Sequence, residues 1–277
     1  MLIALAEEQS LGNAGSLGPV KAFEGRSFFE RFSGEEYSIR ALLDQRSVLV
    51  GFNEYVVLGD IHGDMLALLG ALFLAGVIDR KGHWVPPKKQ GVTRCVVQLG
   101  DLLDRGGRGQ LSRDTSRNPR EEFNIIEYLW ALDKEARLVG GNGGVLSLAG
   151  NHELYSIKQA FFPEKIKFDY TSIATDEPFP GIQRSTLLRD PSVLRYFAFH
   201  RPVLTVTSTG WVFAHGGMEA KGLKLLIKRA EPMIANYQRR CIGPGLAGSV
   251  ALTTNAMWAS YLMNLAGDNR GARQLEP

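Results

Sequence analysis

The chain has 277 residues, enough for one large domain or two small ones around a sizeable core. Its formal charge of +3 is too small to point to nucleic acid, and no stretch is long and apolar enough to predict a membrane span. Two isolated cysteines, Cys95 and Cys241, predict a cytoplasmic protein. So does an N-terminal apolar run that lacks a basic lead-in and reaches Glu7 and Glu8 at once.

Residues 1–50 are mixed in character and read as an N-terminal extension, with "FFERF" and "YSIRALLDQ" as short helices. A rhythm then sets in. "EYVVLGD" (54–60) reads as a buried strand and "DMLALLGALFLAGVID" (64–79) as a helix, with Asp64 as its cap. "TRCVVQLGD" (93–101) is a second strand. "EEFNIIEYLWALDKEARLVGG" (121–141) is a helix with acidic residues in its first turn and glycines past its end. "GVLSLAG" (144–150) is a third strand, and "PVLTVTSTGWVFAHGG" (202–217) reads as a hairpin turning at "TSTG". Strands alternating with helices predict an α/β protein with a substantially parallel sheet, whose ligands sit beyond the carboxyl ends of the strands.

Those ends carry the chemistry. They read "GDIHGD" after the first strand, "GDLLDRG" after the second, "GNHE" after the third and "HGG" after the hairpin. Each offers side chains suited to a metal or a phosphate: Asp60 and His62, Asp101, Asn151 and His152, then His215. An isolated Asp-x-His at a turn is equally well a cap, but four such clusters at four strand ends exceed what capping needs. Oxygen donors with imidazoles and no nearby cysteine suit manganese, iron or zinc and exclude a thiolate site.

The series "GDIHGD", "GDLLDRG", "GNHE", "HGG" resembles the signature of the calcineurin-like metallophosphoesterases, and within them the phosphoprotein phosphatase group. "AGVIDRKGHW", "VVQLGDLLDRG" and "GGVLSLAGNHE" resemble its Shewanella-like branch. The resemblance covers about residues 54–217. It implies a four-layer αββα sandwich, with 51–277 as the catalytic domain and insertions at about 105–121 and 160–198. It also implies two divalent metal ions at the strand ends: Asp60 and His62 on the first, Asp101 bridging, and Asn151 and His215 on the second. Arg105 and Asn151 would face substrate phosphate, and His152, oriented by Asp104, would protonate the leaving oxygen. The implied activity is phosphomonoester hydrolysis by a metal-bridging hydroxide. The substrate would be a protein phosphorylated on serine, threonine or tyrosine, or a small phosphoester, with no nucleic-acid or membrane partner.

The chain departs from that pattern in two respects. The family's set includes a further metal histidine downstream of the "HGG" histidine, yet the five histidines here are 62, 83, 152, 200 and 215. Its second phosphate-binding arginine has Arg270, in "GDNRG", as the nearest counterpart. Three accounts follow: a chain truncated before its last strands, a second metal held weakly by fewer ligands, or a pseudophosphatase that binds phosphate without turnover. Among enzymes the alternative is a diadenosine tetraphosphate or other nucleotide phosphoesterase. His200 precedes the hairpin and belongs at the other sheet edge, and His83 lies in a polar connection. Glu153 is read as anchoring the loop under His152, and the arginine-rich stretch 105–121 as a solvated insertion or a basic rim.

Overall fold

A computed structural model describes residues 30, 46–104, 120–139, 143–164, 177–178, 181–217, 219, 221–225, 227–228 and 246–268. Two three-stranded sheets run through them. One contains β2 (Glu54–Leu58), β3 (Arg94–Gln98) and β4 (Gly143–Ser147), all parallel. The other places β5 (Leu204–Thr207) between β1 (Val48–Leu49), to which it is parallel, and β6 (Val212–Ala214), to which it is antiparallel. The hairpin turns where "TSTG" lies, with Gly210 at φ 90° and its N–H donating to the Thr207 carbonyl.

The layers follow from side-chain alternation. Cys95 and Val97 of β3 point one way, into a cluster with Leu49, Leu146 and Leu148, against which Tyr55 and Phe213 also pack. Residues from both sheets meet there, so this is the inter-sheet core. Val96 and Val145 point the other way and join Leu68 and Leu72 of α1 (Met65–Leu74) and Phe123, Ile126 and Leu129 of α2 (Glu121–Leu138). The outer face of the β5 sheet, through Leu204 and Val206, packs on Val250 and Ala251 of α6 (Leu246–Leu265). The order is helix, sheet, sheet, helix, an α/β layered fold. Sheets covered on both faces explain why "RCVVQ" reads as an unbroken run, with four of its five residues buried.

Further helices among the described residues are α3 (Asn151–Phe161), α4 (Arg184–Leu188) and α5 (Pro191–His200). Asp190 caps α5 by accepting the Ser192 N–H, with Pro191 at its first turn. Val193, Leu194 and Phe197 then sink into the main core. Two element bounds differ from the expectation drawn from sequence. The helix expected over 64–79 stops at Leu74, because Gly76 takes φ 66° and the Gly76 and Val77 amides turn back to the Phe73 and Leu72 carbonyls. The helix expected over 121–141 ends at Leu138. Of the helices expected before residue 46, Glu30 of "FFERF" is described and helical, and the remaining positions lie outside the described residues.

Candidate metal centre

Every candidate ligand in the described residues stands just past a strand. Asp60 and His62 follow β2, Asp101 and Asp104 follow β3, Asn151 and His152 open α3 after β4, and His215 follows β6. The loops interlock through backbone. The amides of Ile61 and His62 donate to the Asp101 carbonyl at 3.1 and 2.9 Å, and Gly63 donates to Leu102 at 2.7 Å. A Cβ at Gly100 would stand 2.5 Å from the Gly150 amide nitrogen, and one at Gly150 would run into the Asp101 carboxylate. Only glycine lets the second and third loops approach this closely. His62, Asp101 and Asp104 all sit at positive φ (48°, 55° and 74°), a conformation that costs non-glycine residues and persists only where the surroundings enforce it.

Glu153 supplies much of that enforcement. Its fully buried carboxylate accepts the amides of Asp101, Leu102 and Leu103 at 2.8, 2.7 and 3.0 Å, and that of Gly150 at 2.6 Å. The anchoring expected from sequence is therefore present. Behind it lies the fully buried Arg201, whose Nη2 donates to the Leu148 carbonyl and stands 3.9 Å from Glu153. Asp64 accepts the Ala67 N–H at 2.9 Å as the cap of α1.

Candidate ligand atoms converge on Asp101. His62 Nδ1 lies 3.0 Å from the Leu103 carbonyl and His215 Nδ1 lies 3.1 Å from the Leu99 carbonyl. A carbonyl only accepts, so Nδ1 of each ring is the donor there, and Nε2 is turned inward. Among the described residues His62 Nε2 is buried without a hydrogen-bond partner, and it faces Asp60 Oδ2 at 3.6 Å and Asp101 Oδ2 at 3.7 Å. His215 Nε2 lies 3.1 Å from Asp101 Oδ2 and 2.8 Å from Asn151 Oδ1. Two imidazole nitrogens, two carboxylates and an amide oxygen turned toward one place make a donor set that fits divalent metal. Among the described residues the ligand atoms of His62, Asp101 and His152 lie within 4.8 Å of one another, as do those of Asp60, Asp101 and His215. Asp101 is common to both groups, the position a bridging carboxylate needs. Burial pushes its carboxyl above the ordinary carboxylate range, and the His152 N–H, donating to Oδ1 at 2.9 Å, works against that.

His152 stands edge-on to His62, with ring centroids 4.7 Å apart. Its Nδ1 is 2.8 Å from Asp104 Oδ2, which fixes the ring and leaves Nε2 facing the Asp101 side at 3.8 Å. Seven of the nine expected site residues are thus brought together: Asp60, His62, Asp101, Asp104, Asn151, His152 and His215. Arg105 and Arg270 lie outside the described residues, as does the stretch 105–119. His200 does not join the cluster. It is buried on α5, stacked on Tyr196 at 5.4 Å, and burial holds its imidazole down at about 3. His83 is largely exposed, 3.2 Å from Glu135. Glu122, Arg184 and Arg201, all buried beside these loops, escaped sequence reading; only the acidic pair opening α2 hinted at the first.

The sequence pattern of the calcineurin-like phosphoesterases matches residues 54–236. Among curated relatives, Shewanella-like protein phosphatase 2 of Arabidopsis thaliana is 37% identical over 106 residues, which are 38% of this chain and 22% of that protein. Shewanella-like protein phosphatase 1 of Plasmodium berghei (strain Anka) is 27% identical over 183 residues, which are 62% of this chain and 41% of that protein. The chain thus spans less than half the length of these relatives. No solved structure matches it. With more than half of its residues under the family pattern, the chain belongs to the calcineurin-like phosphoesterase family.

Proposed function

We propose that the chain is a metal-dependent phosphomonoester hydrolase acting on phosphorylated protein side chains in the cytosol. The convergence of imidazole and oxygen donors on Asp101, with a histidine–aspartate pair beside it, carries the reading. In this reading Asp60, His62 and Asp101 hold one divalent ion, and Asp101, Asn151 and His215 hold a second, more weakly. Manganese, iron and zinc all suit such a mixed oxygen and imidazole set. Bound there, the two ions supply charge against the phosphoryl oxygens and an acidified water as nucleophile.

The chain's own residues do the rest. Asn151 contributes a neutral oxygen, which keeps negative charge low where an anionic substrate must enter. Arg105 pairs with phosphate oxygens, for which a planar guanidinium is suited. His152 gives the Nε2 proton to the departing oxygen as the P–O bond breaks, and Asp104 holds the ring by Nδ1 and steadies its charge. The phosphatase names of the two relatives support a phosphoprotein substrate over a dinucleotide.

The test is turnover of an aryl phosphate, a phosphoserine peptide and diadenosine tetraphosphate with manganese present, beside Asp101→Asn. The expected result is metal-dependent turnover of the first two that Asp101→Asn abolishes. Turnover of the dinucleotide alone would move the substrate class, and no turnover with any divalent ion would overturn the reading.

A further inference from the structure

The histidine–aspartate pair is one segment of a closed circuit of buried side chains. From Asp104, whose Oδ2 meets His152 Nδ1 at 2.8 Å, the circuit leaves through the backbone: the Asp104 N–H donates to Glu122 Oε1 at 2.8 Å. Glu122 Oε2 accepts Arg184 Nε at 2.8 Å, and Arg184 Nη2 donates to Ser156 Oγ at 3.1 Å. Ser156 lies on α3 one turn beyond His152, which closes the ring. All five residues are at most 6% exposed. Glu122 comes from α2 and Arg184 from α4, so two helices that carry no candidate ligand themselves reach the proton donor from opposite ends.

Asp104 needs that hold. At φ 74° it occupies a conformation that non-glycine residues avoid, at a cost of about 1–3 kcal/mol when the surroundings do not enforce it. Glu153 holds residues 101–103, but Asp104 is held through Glu122. Without that bond Asp104 relaxes toward an ordinary φ and its carboxylate swings off Nδ1.

We infer that Glu122 and Arg184 are positioning residues for proton donation, acting through Asp104 on His152 and not on the metal ligands. The inference rests on the phosphomonoesterase reading. It has a consequence that an ordinary buried ion pair lacks: the defect must scale with how much the leaving oxygen needs a proton. A nitrophenolate departs unaided, whereas a serine alkoxide does not.

The experiment compares Glu122→Gln with the unsubstituted chain on nitrophenyl phosphate and on a phosphoserine peptide, with manganese affinity measured by calorimetry. Glutamine keeps an acceptor for the Asp104 amide but loses the charge that holds Arg184. Turnover of the phosphopeptide should fall about thirtyfold, short of the roughly 10²–10⁴ of a lost general acid because the donor is misplaced and not removed, and that of nitrophenyl phosphate less than about threefold. Manganese affinity should stay within about twofold, because no ligand bond is touched. In a His152→Asn background, Glu122→Gln should cost nothing further on the peptide. Ser156→Ala, a milder break in the same ring, should shift the same ratio by about threefold and serves where Glu122→Gln fails to fold. Equal losses on both substrates, or a matching loss of manganese affinity, would overturn the inference alone. An unsubstituted chain that turns over neither substrate would overturn the phosphomonoesterase reading and this inference with it.

Discussion

Around Asp101 the His62 side and the His215 side are built in different ways. His62 is 11% exposed, its loop is tied to the Asp101 loop by three backbone hydrogen bonds, and buried His152 stacks edge-on against it. His215 follows a three-residue edge strand and is held at Nδ1 by the Leu99 carbonyl. Its neighbour in the site is the exposed Asn151, whose Oδ1 lies 2.8 Å from its Nε2. Donor chemistry is similar on the two sides; preorganisation is not. A cation on the His62 side meets ligands already in place. One on the His215 side must order part of its own site, which lowers affinity by the cost of that ordering.

The severest way to break the comparison is to remove what the sides share. Asp101→Asn should cut phosphoester turnover by about a thousandfold and abolish the binding of two ions, as read by steady-state kinetics and elemental analysis. Removing one side at a time sharpens it. His62→Ala should weaken the tighter manganese site by about a hundredfold or more, whereas His215→Ala should leave that affinity nearly intact and remove only the weaker one; calorimetric titration separates the two.

Glu153→Gln probes the frame beneath the His62 side. Four amides would lose a charged acceptor, so manganese affinity should fall by about tenfold and stability by roughly 2–3 kcal/mol, as read from titration and denaturant unfolding. The smallest effect concerns stability alone. His200 has a folded value of about 3 against an ordinary 6.5, first through burial and then through the Arg46 charge. Between those values the unfolded chain binds the extra proton, so stability is intact above pH 6.5 and falls as the pH drops toward 3. The loss at pH 5 should be about 2 kcal/mol. His200→Phe should flatten that slope in pH-dependent unfolding while leaving manganese affinity at neutral pH unchanged.

Much of the site was legible because its residues are local to strand ends. A buried run that stops at glycine and continues into Asp60 and His62 announces a functional turn, and the same holds at Asp101 and at Asn151 and His152. Layering was legible from the alternation of strands and helices, though Gly76 ended α1 earlier than the apolar spacing suggested. Less visible was α5, despite the Asp190–Pro191 start, and α6, whose threonines, serines and small residues weaken any helical stripe. Least visible were the buried clamps. Glu122 and Arg184 are 62 residues apart in sequence. Glu153 reaches Asp101 across 52. Hydrogen bonds over such separations leave no periodic trace in composition.

Glu153 gives the loop from Asp101 to Leu103 a status that loops seldom have. Three consecutive amides there end on one fully buried carboxylate, beside the close approach of Gly100 to Gly150. These protons should exchange with solvent only when the whole domain opens, at rates shared with the central strand and far below those of ordinary turns. By that criterion the segment between β3 and the dyad belongs to the last unit of the molecule to unfold.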